Sequence, residues 1–165
     1  MAIVTPSGVK QVLYENEKKE EFDSLITQLK KENEWVKINQ YSLCLVQYPH
    51  SMIDSLKHAV AKQELGSLDR IQLLLDLKRL CNAQRVKPSE LLSFMEAYQQ
   101  ENDWSVLEFE VSLLNSLFEN VEDSLKIQFQ EYTHQLLYHA YEECGWDSIE
   151  GESVYETSAR PLILG

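Results

Sequence analysis

From Met52 onward, apolar residues recur along this chain at helical spacing, and the segment Ser67–Leu80 is the most strongly patterned. Leu68, Ile71, Leu74, Leu75, Leu77 and Leu80 fall near i, i+3, i+7 and i+10, which predicts a helix over 67–82 with one apolar stripe. Asp69, Gln72, Asp76 and Arg79 are then expected on its other faces. Ser67, following Gly66, is the expected N-cap, with Asp69 favourably placed in the field of the helix dipole. A preceding helix is predicted by Met52, Leu56, Ala59 and Val60, stopping near Gly66. Pro88, at a first-turn position, opens a helix carrying Leu91, Leu92, Met95 and Tyr98. Trp104, Leu107, Val111, Leu114 and Phe118 line the next. Leu125, Phe129, Tyr132, Leu136 and Ala140 line a longer one, which Gly145 terminates, and Val154–Leu164 begins a further helix that Pro161 interrupts.

The first 48 residues follow another pattern. Val9–Tyr14 is a candidate strand and Glu15–Glu21 a charged turn with its corner at Asn16. Phe22, Leu25, Ile26 and Leu29 repeat at i, i+3, i+4 and i+7, predicting a short amphipathic helix over 22–31. Trp35–Tyr48 alternates well enough for two strands turning at Asn39–Gln40, with Val36, Ile38, Leu43 and Leu45 left on open edges. The fold class expected is mainly α: an antiparallel array of helix pairs preceded by a short β-hairpin segment.

Composition sharpens the picture in one respect. The chain has 165 residues, 44% apolar and 10% aromatic, enough for a packed core, and a net charge of −12. That charge is uneven: residues 1–86 hold 12 Lys/Arg against 11 Asp/Glu, and residues 87–165 hold 3 against 16. Such a balance excludes nucleic acid as a partner and first serves solubility. Cys44, Cys81 and Cys144 are odd in number, without a C-x-x-C pair and in apolar contexts, so buried free thiols and a cytoplasmic setting are expected. Neither a signal peptide nor a run long enough to span a bilayer is present, though a longer parent is free to carry an anchor elsewhere.

Several of these stretches carry a resemblance. Asp69-Arg70 followed by Gln72-Leu73-Leu74 and Asp76, a Leu-rich helix ending near Glu96, and Trp104 opening the next helix resemble the start of the C-terminal helical domain of gluzincin zinc aminopeptidases. That group includes aminopeptidase N, the puromycin-sensitive and the endoplasmic-reticulum aminopeptidases. Trp35-Val36-Lys37-Ile38-Asn39, Gln47-Tyr48 and Gly145-Trp146-Asp147 match further landmarks, so the resemblance runs from Trp35 to the C-terminus. The chain departs from the family's pattern in lacking the hairpin's turn glycine and in having Leu45 where an arginine falls. The resemblance implies a HEAT-like solenoid, with residues 1–48 the remnant of a β-rich domain and 49–165 an incomplete C-terminal helical domain. It also implies strands and a loop, rather than a helix, over 22–31.

Candidate chemistry is scarce. A gluzincin site needs H-E-x-x-H, whose histidines meet one zinc ion from successive turns while the glutamate activates its water. His134 and His139 lie five apart, about 140° around a helix, and His50 and His58 lie further apart. No nucleophile motif or phosphate-cradling glycine loop is present, and Glu108/Glu110 and Glu142/Glu143 point apart on a helix. Trp104 and Trp146 read as packing anchors. No catalytic, cofactor-binding or metal-binding residue is assigned. The resemblance implies a non-catalytic portion of a zinc aminopeptidase that removes N-terminal amino acids from peptides, with zinc and catalysis in the parent's catalytic domain and this domain covering the cleft and shaping peptide access. The alternative is a free-standing acidic helical adaptor binding a basic peptide or protein. The near-neutral, apolar N-terminal half suits docking on the catalytic domain, or self-association without it.

Overall fold

A computed structural model of the chain describes residues 1–12, 14, 16–38, 45–144 and 160–161. Its described residues form a three-stranded sheet and six helices. The strands are β1 (Ala2–Thr5), β2 (Gly8–Gln11) and β3 (Lys37–Ile38), in the order β2-β1-β3. Both neighbours run antiparallel to β1, with Val4 opposite Val9 on one side and Lys37 on the other. The hairpin β1–β2 closes through Pro6-Ser7, and Gly8 takes φ +127°, a region open to glycine alone. The Thr5 hydroxyl donates to the Gly8 carbonyl across the turn, at 3.1 Å.

This sheet corrects the reading of the first 48 residues. The expected strand Val9–Tyr14 is β2, which begins one residue earlier and ends three residues earlier, and its partner β1 was not foreseen. Of the two strands expected between Trp35 and Tyr48, the described residues show one, Lys37–Ile38. It pairs with β1, while 45–49 has no regular structure, and residues 39–44, with the Asn39–Gln40 turn, lie outside the described residues. At the outer edge of β3, the Tyr48 hydroxyl does the work of a further strand: it donates to Ile38 O at 2.8 Å and accepts from Ile38 N–H at 2.9 Å.

Helix α1 (Lys19–Glu32) contains the predicted 22–31 stretch, so the periodicity describes this segment and the strands implied by resemblance do not. Alternation along β1 sends its side chains to two places. Ile3 joins Val36 and Met52 in a cluster closed by Phe22, Leu25, Ile26 and Leu29 of α1. Val4 joins Trp35 in the main core. Of the residues expected on open edges, Val36 and Ile38 are thus covered by α1 and the helical array, Leu45 is exposed, as is Val9 on β2, and Leu43 lies outside the described residues.

The array consists of α2 (His50–Ala61), α3 (Ser67–Asn82), α4 (Pro88–Met95), α5 (Trp104–Phe118) and α6 (Lys126–Cys144). α2 packs on the 3₁₀ turn Glu96–Tyr98 that continues α4, and the α6 residue Tyr132 donates to Leu92 O of α4 at 2.7 Å. α3 packs on α4 and α5, and α5 on α6. Even-numbered helices therefore form one layer and α3 with α5 the other, the offset expected of stacked helix pairs. Leu56, Leu73, Leu74, Leu91, Phe94, Met95, Val106, Leu113 and Leu114 fill the space between them. The expected helix over 154–164 lies outside the described residues except for Arg160 and Pro161, which are helical.

α2 and α3 end alike. Gln63 and Gln84 take φ +54° and +57°, and Glu64 and Arg85 donate back five residues to Ala59 O and Leu80 O. This is the left-handed helix terminus usually made by glycine.

Candidate functional site

The most distinctive chemistry is a set of charges buried along α3 and α5. α3 buries Asp69, Arg70, Leu73, Leu74, Asp76, Leu77 and Leu80, whereas Leu68 is 73% exposed. The inward stripe is therefore rotated from the one expected, and three charged residues lie on it. Asp69 and Arg70 occupy the first turn, where the following Leu73 and Leu77 continue the same face at i+4 and i+8.

Arg70 is held on all sides. Its Nε and Nη2 donate to Glu101 Oε2 and Oε1 at 2.7 and 2.8 Å, and Nη1 donates to Leu65 O. Tyr98, also buried, donates its hydroxyl to Arg70 O at 2.9 Å. Glu101 Oε1 accepts in addition from the N–H groups of Asn102 and Asp103, at 3.1 and 2.9 Å. Asp103 then caps α5, accepting from Ser105 N at 2.9 Å and Val106 N at 3.4 Å, while its other oxygen accepts from Ser67. Ser67 is thus not the cap of its own helix. Gly66 holds that position, and the Ser67 hydroxyl serves the neighbouring one. Burial works to raise the Asp103 pKa, but these bonds and the Arg70 charge outweigh it and hold the carboxyl below its usual range.

A second centre joins sheet to helices. Lys37, wholly buried on β3, reaches Asp69 Oδ1 at 2.9 Å, and its charge also acts on Asp76. Burial pushes the Asp76 pKa up, against the Val46 N–H, Lys37, Arg79 and Gln72. Although β3 is an edge strand among the described residues, Lys37 lies opposite Val4 and shares that residue's inward face. Beside it, Trp35 Nε1 donates to Glu64 Oε2 at 2.7 Å.

Glu110 is the third. It is fully buried on α5, and neither carboxyl oxygen has a hydrogen-bond partner among the described residues. Burial, then the charge of Glu101, push its pKa well up against the pull of Arg70. Glu108, two residues earlier, is exposed, so the two acids do point apart.

No sequence motif announced these groups, though one signal was present: Asp69 and Asp76 lie seven residues apart on a leucine-rich helix, which places both on one face. Of the histidines, His50 and His58 lie on α2, with His58 Nδ1 3.0 Å from Asp54 O, and His139 on α6 lies 3.6 Å from Glu143. His134 lines a groove of about 460 Å³ between α5 and α6. Among the described residues no group of three or more His, Cys, Asp or Glu side chains converges as metal ligands. A polar cleft of about 330 Å³ lies between α2 and α4, lined by Tyr48, His50, Lys57 and Arg85 among others. Cys81 is free and half-buried, and Trp104 half-buried. Cys44 and Trp146 lie outside the described residues. No described helix is long and apolar enough to cross a membrane.

Against known proteins, a model of the ERAP1-like C-terminal domain matches residues 35–165. Aminopeptidase M1-B of Oryza sativa subsp. japonica is 29% identical over 140 residues, 82% of this chain and 16% of that protein. Aminopeptidase M1-A of the same plant is 28% identical over 156 residues, 90% of this chain and 18% of that one. Aminopeptidase N of Lactococcus lactis subsp. lactis (strain IL1403) is 24% identical over 122 residues, 73% of this chain and 14% of the relative. The chain therefore spans about one sixth of the curated relatives it matches.

Proposed function

The chain belongs to the ERAP1-like C-terminal domain family, and from that premise we propose that it acts as the non-catalytic C-terminal portion of a zinc aminopeptidase, covering the catalytic cleft and shaping peptide access. One observation carries the reading: 73–90% of the chain aligns with aminopeptidases of which it makes up only 14–18%. The histidines of this chain do not fit a zinc site, since their pairs are spaced by eight and by five residues rather than the four that bring two rings to one ion. Zinc, and the removal of N-terminal residues, belong in this reading to the catalytic domain of the parent. A cytoplasmic setting is part of the proposal and suits the free thiol of Cys81.

Rigidity supports a covering role. Lys37–Asp69 and Trp35–Glu64 fix the sheet to α2–α3 and the loop between them, while Arg70–Glu101 and Ser67–Asp103 fix α3 to the start of α5. A surface braced in this way holds its shape against a cleft.

The test begins with the size of the native product, detected by an antibody to this region. The expected product is a much longer polypeptide containing H-E-x-x-H, and a native product of 165 residues alone overturns the reading. The parent is then compared with and without residues 35–165. Removal is expected to leave zinc in place and to change the ratio of long-peptide to short-peptide hydrolysis. An unchanged ratio refutes the cleft-covering role.

A further inference from the structure

The groove between α5 and α6 is apolar at its floor and acidic at its rim, and we propose that it is the docking site of a basic amphipathic helix from a partner protein. Val111, Leu114 and Phe118 on α5, at i, i+3 and i+7, face Phe129 and Leu137 on α6 across about 460 Å³. Two apolar ridges with a gap between them accept a third helix through anchors at i, i+3, i+4 and i+7. Asn115 and His134, on the two walls, are exposed, so the groove opens outward. Ile127 and Tyr138 continue the apolar margin along α6, at 68% and 52% exposure.

Charge selects the occupant. Glu108 and Glu119 stand seven residues before and four after Asn115, along the α5 wall. Glu131 and Glu142 each follow a lining residue of α6 by one position, and all four carboxylates are exposed. The cation at this end, Lys126, is engaged by Asp123 at 2.6 Å and lies 5.7 Å from the Phe118 ring centre. A second copy of the chain would bring the same four acids to the rim. The chain's own residues 145–165 hold Asp147, Glu150, Glu152 and Glu156 against Arg160, and so carry the same sign. Lysine- or arginine-flanked helices are the complement. This docking does not rest on the aminopeptidase reading, because it uses only the described α5–α6 surface.

The probe is a synthetic helix of about 18 residues with leucines at i, i+3, i+4 and i+7 and lysines on both flanks. It is compared with the same stripe flanked by glutamates, and with a scrambled peptide of equal charge that lacks the stripe. Binding to the 165-residue chain is followed by fluorescence anisotropy at low and high salt, and oligomeric state by sedimentation. The lysine helix is expected to bind at least about tenfold more tightly than either control, and to weaken with salt. The combined variant E108Q/E119Q/E131Q/E142Q, altered only at exposed positions, is expected to lose about tenfold in affinity, and Leu137→Asp to lose binding of the stripe. Equal binding of the scrambled peptide, or affinity unchanged in the combined variant, overturns the proposal. So does a dimer that Leu137→Asp dissolves, which makes a second copy the occupant, or displacement of the probe by a peptide of residues 145–165.

Discussion

Seven charged residues among those described have almost no exposure, and six of them (Lys37, Asp69, Arg70, Asp76, Glu101 and Glu110) decide how this molecule responds to mutation and pH. Burying a charge is costly unless its partner and hydrogen bonds are in place, so losing one member costs more than losing the pair. Arg70→Met is expected to cost about 3–5 kcal/mol in urea unfolding, because it strands Glu101. Arg70→Met combined with Glu101→Leu is expected to lose less than the sum of the two single changes, and additivity would show that the pair is not coupled. Glu110 responds to pH instead. Its folded pKa is raised above the 4.5 of a free glutamate, so above pH 4.5 the folded state keeps a proton that the unfolded state has released. The resulting stability is complete below 4.5 and declines as pH rises towards the folded value. Glu110→Gln removes this decline. The variant should gain on the parent chain with rising pH, by at most about 1.4 kcal/mol per unit, and the gain should vanish below pH 4.5. A pH-independent difference in urea midpoint would show that Glu110 is already paired.

At the scale of elements, the sequence was legible wherever local periodicity and packing agree. α2, α4, α5 and α6 lie where their apolar residues predicted, and Phe22, Leu25, Ile26 and Leu29 of α1 are the face turned to the sheet. The orientation of α3 was not legible. Five leucines between residues 68 and 77 leave its stripe ambiguous, and the choice is made by Lys37 and Glu101, which lie 32 residues before Asp69 and 31 after Arg70. β1 was missed because four residues are too few for a period, although Pro-Ser-Gly after a β-branched run is a hairpin signal. The helix ends were hidden too, since glutamine stands where glycine is usual. Gln84 is exposed at φ +57°, and Gln84→Gly relieves the contact between its Cβ and the carbonyl. Against the greater freedom of glycine in the unfolded chain, a net gain of about 0.5 kcal/mol is expected in thermal unfolding. A loss of that size would show the left-handed turn to be unstrained.

For the whole molecule, the family match and the physical unit have different limits. The match begins at Trp35, yet Val4 lies in one core with Trp35, Leu56 and Leu73, and Ile3 packs with Val36 and Met52 beneath α1. Val4 also opposes Lys37 on β3, whose ammonium ends against Asp69 of α3. Removing residues 1–34 therefore does more than trim an edge. It takes away the partner of β3, uncovers Val36 and Met52, and admits water towards the Lys37–Asp69 pair. Each large apolar side chain left bare costs about 1.5–3 kcal/mol, so the loss is expected to reach about 5 kcal/mol. At this size that lowers the melting temperature by about 10–20 °C. The complete chain is expected to melt in one transition, recorded alike by far-ultraviolet circular dichroism and by tryptophan fluorescence, because sheet and helices share their buried contacts. A 35–165 chain as stable as the complete one would mean that the first 34 residues ride on the core without supporting it. Two separated transitions in the complete chain would show that the Lys37–Asp69 contact does not bind the layers into one unit.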